Sequence, residues 1–294
     1  NNTSKANWQD TAKMWYAGQY VFRGVFDGNG HVVSGLYYYN DNNNDNAWAG
    51  LFQAIGHSST IKRLGVTESS ITNTGANTHT YAAAICAYLE HWRDRGYKDA
   101  TAPVISECFG SDSVYLEASA PAGILAATQT AVTIENCYFT GELTGSVYAA
   151  GMVADNWAAS GYGPTIKNCY AATLDGDPLG DGYGTGSFND DTVTDERAFL
   201  SNCYVAGSSL TTSITPISVM YMKGHDAKKY MPNLDYNKVW KTVEGGTPVL
   251  RCFANAEKYA SQRNPKEVTI SFGNLGDAVV EPLRGYPGYT PISK

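Results

Sequence analysis

The chain has 294 residues, a net charge of −7 and only 17% charged residues, fewer than the quarter found in an average globular protein. The acidic balance and the lack of any Lys/Arg run argue against a nucleic-acid ligand, because phosphate binding needs basic patches. No apolar stretch approaches the ~18 residues of a membrane span. A hydrophobic content of 43%, with 30 Gly and 21 Tyr, instead favours a β-rich protein with a large core and many turns.

Two short elements recur along the chain and predict its secondary structure. The first is an Ala/Gly strand, found at residues 49–52, 83–86, 122–125 and 150–153. The second is a hydrophobic residue followed two places later by Asn-Cys-Tyr, found at 134–138, 166–170 and 200–204. A weaker copy lies at 105–109. Residues 61–65 and 33–37 are aligned with the same element, although they lack Asn-Cys-Tyr. Successive copies start roughly 28 to 44 residues apart, a period typical of repeat proteins built from short strands.

Short strands that return at a loose period, with insertions confined to the joints, predict an all-β fold: a right-handed parallel β-helix, or β-solenoid, of about six to eight coils with long loop insertions. Strands of neighbouring coils would lie ~4.8 Å apart, so equivalent residues would form columns. The Asn residues are expected at a bend with left-handed φ. The aromatic residue after each Cys should point outward.

The six cysteines do not predict a disulfide framework, because the chain is much larger than the small domains that need one. We expect a buried column of free thiols, although cysteines on neighbouring coils are close enough for disulfides. The column consists of Cys108, Cys137, Cys169 and Cys203.

The predicted β-helix module spans residues 1–253. The remainder, 254–294, contains a connector at 255–265 and a strand at 268–272 followed by three prolines. It could cap the open end of the module, act as a linker, or begin the next module. Because the chain starts at Asn1 with neither Met nor a signal peptide, we interpret it as one part of a longer protein.

Residues 22–36 read Phe-Arg-Gly-Val-Phe-Asp-Gly-Asn-Gly-His-Val-Val-Ser-Gly-Leu and resemble the opening coil of GLUG-type bacterial surface β-helices. The later Ala-Gly and Ile-x-Asn-Cys-Tyr units resemble further coils of that group, and residues 240–250 resemble its closing segment. Within the group, residues 15–253 are similar to the β-helical xylan-binding modules attached to xylanases of gut bacteria. The resemblance implies a monomeric, secreted or cell-surface module of a multimodular bacterial protein. It would bind xylan or a related β-glycan and be covalently linked to a catalytic module such as a xylanase.

The connections that follow the Ala/Gly strands, at 53–60, 87–103, 126–130 and 154–164, should lie above one another. The second and fourth are long and aromatic and the third is short and polar, so they predict a cleft. Flat rings pack against the C–H faces of sugars, and neutral polar groups bind their hydroxyls. The predicted carbohydrate-binding residues are Tyr88, His91, Trp92, Arg93, Tyr97, Gln129, Asn156, Trp157 and Tyr162. Alternatively, these rings fold back on their own loops.

Two further aromatic groups are weaker candidates. The outward column could offer a glycan surface, but an insertion or the C-terminal segment is expected to cover it; its members are Phe109, Tyr138, Tyr170 and Tyr204. Residues 37–39, with Trp48, could contact ligand or could cap the first coils.

No cofactor is required by this interpretation, but one acidic loop could hold a structural calcium ion. Asp175, Asp177 and Asp181 offer oxygen ligands among glycines, as Ca²⁺ prefers. A solvated turn is the alternative.

Catalysis is not expected and no catalytic residue is assigned. Glycoside hydrolysis needs two positioned carboxylates, whereas carboxylates such as Glu135 and Glu142 are scattered over the repeats. Two alternatives to a non-catalytic module stay open: a polysaccharide lyase or glycoside hydrolase on the same scaffold, and an adhesin or spacer repeat of a cell-surface protein.

Overall fold

The computed structural model of the protein describes residues 21–41, 48–75, 79–90, 100–145, 147–158, 161–175, 198–206 and 214–263. Over these ranges the chain is all-β, and its strands form three parallel sheets and one antiparallel hairpin. No helix in these ranges is long and apolar enough to cross a bilayer.

The three parallel sheets are called A, B and C. Sheet A contains β3 (Trp48–Ile55), β6 (Tyr81–Leu89), β10 (Ala120–Ala122), β11 (Leu125–Thr128) and β15 (Val153–Asn156). Sheet B contains β1 (Val25–Ser34), β4 (Thr60–Thr67), β7 (Val104–Ser106), β8 (Phe109–Gly110), β12 (Thr133–Glu135), β13 (Tyr138–Phe139), β16 (Thr165–Lys167), β17 (Tyr170–Ala171), β19 (Phe199–Ser201), β20 (Cys203–Ala206) and β21 (Ile214–Ile217). Sheet C contains β2 (Tyr37–Asn40), β5 (Ser69–Asn73), β9 (Val114–Ala118), β14 (Glu142–Gly145) and β18 (Leu174–Asp175).

The predicted alignment of the repeats is confirmed at the Ile position of sheet B. Equivalent residues of successive copies are paired partners, in the order Ile61, Ile105, Ile134, Ile166 and Leu200. One predicted register is wrong. Val33 was aligned with Ile61, but Val33 pairs with Val66 and Phe26 pairs with Ile61. Phe26 therefore occupies the position equivalent to Ile61, and a register shift between Asp27 and His31 adds two residues to β1 relative to β4.

The predicted bends are confirmed as well. Asn136, Asn168 and Asn202 have φ of 53°, 55° and 54°, in the left-handed region that Asn tolerates better than most residues. Each bend separates two strands of a copy, as between β12 and β13. The bend lets the hydrophobic residue two positions before it and the cysteine after it both face the interior, as with Ile134 and Cys137.

A single hydrophobic core receives side chains from all three sheets. Its members include Ile134 of sheet B, Leu116 of sheet C and Cys86 of sheet A. The cysteine column is part of it, and all six cysteines are free thiols, with only Cys252 partly exposed. Each column thiol donates to a backbone oxygen two residues earlier, as from Cys137 Sγ to the Glu135 oxygen at 3.3 Å.

The aromatic column on the other face of sheet B is covered by the C-terminal segment. Phe109, Tyr138 and Tyr170 stack in parallel with ring centroids 4.9 and 5.2 Å apart, and all three are buried. Trp240 packs across the two tyrosines. The column and the C-terminal segment form one buried hydrophobic cluster. The column therefore cannot serve as a glycan surface.

The covering segment consists of short elements: a 3-10 helix at Val219–Met222, α1 (Asp226–Tyr230), the hairpin β22 (Trp240–Val243) and β23 (Gly246–Leu250), and a 3-10 helix at Ala256–Tyr259. Phe253, Ala256 and Ala260 all belong to the same cluster, so packing continues past residue 253 into the predicted connector. The predicted strand at 268–272 lies outside the described residues.

Candidate functional site

The candidate site lies on the outer face of sheet A, which has a floor of small side chains. Cys86 and Leu125 belong to the core, whereas a separate group of buried alanines packs with aromatic rings. These floor residues are Ala83, Ala120, Ala122, Ala126, Ala127, Ala150 and Ala154, each at most 1% exposed. Because methyl groups rise little above the backbone, large rings can lie close over this sheet.

Four rings form the aromatic cluster on that floor: Trp48, Tyr81, Tyr88 and Trp157. The Trp48 ring stacks on Tyr81 at 4.3 Å with an interplanar angle of 11° and lies 4.2 Å from Tyr88. Trp157 meets Tyr81 edge-on at 6.0 Å. Tyr81 is buried, Trp48 and Tyr88 are half-buried, and Trp157 is 37% exposed.

The backbone register brings these rings together. Trp48 and Tyr81 are paired partners at the starts of β3 and β6. Tyr88 pairs with Ala127, which pairs in turn with Asp155 of β15. Trp157 directly follows β15. Its backbone N–H donates to the Thr128 carbonyl oxygen at 2.9 Å, which anchors the start of the connection after β15.

A buried carboxyl group lies beneath the cluster. The Tyr81 hydroxyl donates a 2.9 Å hydrogen bond to Asp155 Oδ2, and Asp155 is only 1% exposed. Burial raises the pKa of Asp155, while the Tyr81 hydrogen bond and the nearby His79 oppose that rise. Burial together with Asp155 also raises the pKa of Tyr81 well above its ordinary value.

The second carboxyl oxygen, Asp155 Oδ1, has no hydrogen-bond partner among the described residues. Leaving a buried acceptor unpaired costs roughly 1–3 kcal/mol. Such a group is therefore a natural contact for a polar ligand or an ordered water.

The predicted residues have different outcomes. The structure joins Tyr88 and Trp157 through Trp48 and Tyr81, although Tyr88 lies in β6 and not on a connection. Tyr162 is 49% exposed on the connection after β15, and Gln129 is half-buried directly after β11. His91, Trp92, Arg93 and Tyr97 lie outside the described residues.

Asn156, predicted to bind sugar hydroxyls, lies at the end of β15, and that role stays a prediction. The side chain is 1% exposed, and its Oδ1 accepts a 3.1 Å hydrogen bond from the Ala158 N–H. This hydrogen bond stabilises the turn after β15.

The calcium prediction is not tested by the fold. Asp175 ends β18, and Asp177 and Asp181 lie outside the described residues. Over the described ranges no three His, Cys, Asp or Glu side chains are grouped as metal ligands would be.

Three members of the site were not predicted from the sequence: Tyr81, Asp155 and, as part of this cluster, Trp48. A weak signal existed for the two rings, because Trp48 lies one residue and Tyr81 two residues before an Ala/Gly strand. The pairing of β3 with β6 places them side by side. No local signal marks Asp155, which reads as an ordinary polar residue at a strand end.

Comparisons of the chain with protein families, with curated proteins and with solved structures found no match.

Proposed function

We propose that the protein is a right-handed parallel β-helix and a non-catalytic carbohydrate-binding module for an extended, neutral β-1,4-linked plant polysaccharide, with xylan the first choice. The helical path is supported by pairing between residues one repeat apart, such as Ile134 with Ile166. It is further supported by the three parallel sheets that share one core. Such a path would place the outer face of sheet A along the axis of the molecule, open to a long ligand.

The observation that carries the binding proposal is the exposed Trp157 ring beside the other three rings of the aromatic cluster. Covering one ring face with a sugar would contribute about 1.5–3 kcal/mol. Two or three such contacts give affinities from about millimolar to ten micromolar, a useful range for a module that acts beside an enzyme.

The alanine floor favours this role because it holds the rings in fixed positions. Trp48 lies between two tyrosines, so ligand binding would immobilise little that is not already ordered, and less conformational entropy is lost. Two polar groups of sheet A could bind sugar hydroxyls: Gln129, directly after β11, and Asp155 Oδ1 in β15.

The same proposal includes the setting of the module. We place it in a secreted or cell-surface multimodular bacterial protein, as a monomer covalently linked to a catalytic module such as a xylanase. The low charge of the chain suits neutral glycans better than pectin.

Affinity electrophoresis of the purified protein in gels containing xylans, glucans, mannans or pectins tests the proposal. We expect retardation by xylan, reduced about tenfold in affinity by Trp157→Ala, since a ring contact of about 1.4 kcal/mol corresponds to that factor. Phe199→Ala is the matched control, because Phe199 is an aromatic residue 50% exposed on sheet B, away from the cluster. Equal retardation of wild type and Trp157→Ala on every glycan would contradict the site.

One observation favours glycoside hydrolysis as a second candidate. Asp155 is a buried carboxyl with a raised pKa. It is hydrogen bonded to Tyr81, whose ring meets the exposed Trp157, a setting that suits a general acid. Reducing-end release from the same glycan panel would support it, provided that Asp155→Asn abolishes the release. The non-catalytic proposal expects no release.

A further inference from the structure

A second surface with sugar-binding chemistry lies on sheet C, and it shares no residue with the aromatic cluster of sheet A. An open groove of about 340 Å³ runs over the strands β2, β5 and β9. We call it the sheet C groove, and its principal lining residues are Leu36, Tyr37, Ser69, Ser70, Ser113 and Tyr115.

The groove has two tyrosine walls and a serine floor. Tyr37 and Ser70 are paired partners, as are Ser70 and Tyr115, so all three side chains project from the same face of the sheet. The two tyrosines are two strands apart, ~9.6 Å at the usual strand spacing. That separation matches about two sugar units of a β-1,4-linked chain lying across the strands.

The hydroxyl groups of the groove divide into two kinds. Ser69 and Ser113 serve the backbone: Ser69 Oγ donates to the Thr67 oxygen at 2.7 Å, and Ser113 Oγ accepts from the Glu68 N–H at 2.8 Å. Within the described residues, the Ser70 hydroxyl makes no such hydrogen bond. It is therefore the floor group left to bind a ligand hydroxyl.

Tyr115 is held in place by its neighbours. Burial raises the pKa of Tyr115, and the nearby Thr144 and Glu117 modify that shift. Glu117 itself accepts a 3.4 Å hydrogen bond from Thr72. The ring of Tyr115 is half-buried, so one part packs on the sheet and the rest faces the groove. A ring that already packs on the sheet loses less freedom on binding than a fully exposed one.

The charge of the groove selects the ligand class. Among the described residues that line it, Glu68 is the one charged residue and none is basic. A phosphate or uronate would find no cation to pair with, whereas a neutral sugar needs only ring faces and hydroxyl partners. We propose that the sheet C groove is a second, independent binding site for a neutral β-1,4-linked oligosaccharide, with Tyr37 and Tyr115 as its stacking platforms.

Isothermal titration with xylohexaose and cellohexaose tests the groove in a Trp157→Ala/Tyr162→Ala variant, which weakens the sheet A site. We expect saturable binding of one oligosaccharide, weakened at least about tenfold by the added Tyr115→Ala change, or about 1.4 kcal/mol. Tyr115→Phe keeps the ring. In place of Tyr115→Ala in the same variant, it should leave affinity within about threefold of that of the Trp157→Ala/Tyr162→Ala protein, a change well under 1.4 kcal/mol. Tyr39→Ala, on the same strand as Tyr37 but outside the groove lining, is the matched control.

The groove proposal is overturned if the Trp157→Ala/Tyr162→Ala variant binds neither oligosaccharide, or if Tyr115→Ala leaves binding unchanged while the thermal melt shows a folded protein. The reverse variant, Tyr37→Ala/Tyr115→Ala, isolates the sheet A site. Loss of all binding in that variant, with binding retained in the first, would contradict the sheet A site and leave the groove as the binding site.

Discussion

Tyr81 and Asp155 are 74 residues apart in the chain, yet the tyrosine hydroxyl donates a 2.9 Å hydrogen bond to the carboxylate in the buried layer beneath the aromatic cluster. The pair ties β6 to β15 across β11, which lies between them in sheet A. It also leaves a carboxyl group where water scarcely reaches, and this has a measurable consequence.

Asp155→Asn should stabilise the protein at neutral pH and not at acidic pH. Burial raises the folded-state pKa of Asp155, so its contribution to stability is fully present below the ordinary Asp pKa of about 4 and declines as pH rises towards the folded value. Asn does not ionise and avoids that decline. The difference in unfolding free energy between variant and wild type should therefore grow from pH 3 to pH 7, by about 1.4 kcal/mol for each unit of pKa shift.

Urea unfolding at several pH values measures this difference, and Tyr81→Phe supplies a second check. Because the Tyr81 hydrogen bond lowers the pKa of Asp155, its removal should make the pH dependence of stability steeper. A wild type and an Asp155→Asn variant that run parallel from pH 3 to 7 would show that the carboxyl is not desolvated.

Glu107→Asn should stabilise the fold. Glu107 occupies the bend position of its repeat with φ of 50°, where an L-residue other than Asn or Gly costs roughly 1–2 kcal/mol. The equivalent bend positions of the following repeats carry Asn136, Asn168 and Asn202, all with left-handed φ. We expect a gain of about 0.5–1 kcal/mol by thermal or urea unfolding.

The matched comparison is Asn136→Ala, one repeat further on with φ of 53°. It should lose stability by a similar amount, whereas Asn136→Gly should be nearly neutral. A loss of stability on Glu107→Asn, or no loss on Asn136→Ala, would contradict the assignment of strain to these bends.

Tyr170→Phe should weaken the contact between the C-terminal segment and sheet B. The Tyr170 hydroxyl donates to the Pro248 oxygen in a buried setting, and losing the donor leaves that oxygen unpaired at a cost of about 1–3 kcal/mol. Tyr138→Phe is the control, since Tyr138 belongs to the same stack and no hydrogen bond of its hydroxyl is seen within the described residues. Equal losses in the two variants would mean that the Tyr170 hydrogen bond adds nothing.

The cysteines should resist thiol reagents until the protein unfolds. Burial raises the pKa of Cys86 to about 12 and that of Cys252 to about 12, so little reactive thiolate forms near neutral pH. With a chromogenic disulfide reagent at pH 8, we expect slow reaction at Cys252, which is partly exposed, and none at the buried column. Cys252→Ser should remove the slow phase.

In guanidinium the full count of six thiols should react. Fewer than six without added reductant would reveal disulfides within the column, the alternative that the spacing of neighbouring repeats allows.

Several features of the fold could be predicted because they repeat. The pairing of Ile134 with Ile166 and the left-handed Asn136 follow from one motif whose copies must satisfy the same backbone geometry. The misaligned copy at Val33 shows the limit: residues 33–37 lack the Asn-Cys-Tyr signature, and the partner of Ile61 is Phe26.

The candidate site was harder to predict. Trp157 was identified as an exposed ring, but its partner Tyr81 and the buried Asp155 were not, because their contact depends on how β6, β11 and β15 align. One position along β15 separates Asp155, hydrogen bonded to Tyr81, from Asn156, whose amide oxygen accepts a hydrogen bond in the turn.

The sequence by itself determined the repeat, the strands and the columns of cysteine and tyrosine, since alternation along each strand fixes which residues face inward. Only the tertiary structure decided that Trp240 covers the tyrosine column while the sheet C groove stays open. Which outward face is covered depends on where a non-repeating segment packs, and that is set by its many weak contacts and not by any periodic pattern.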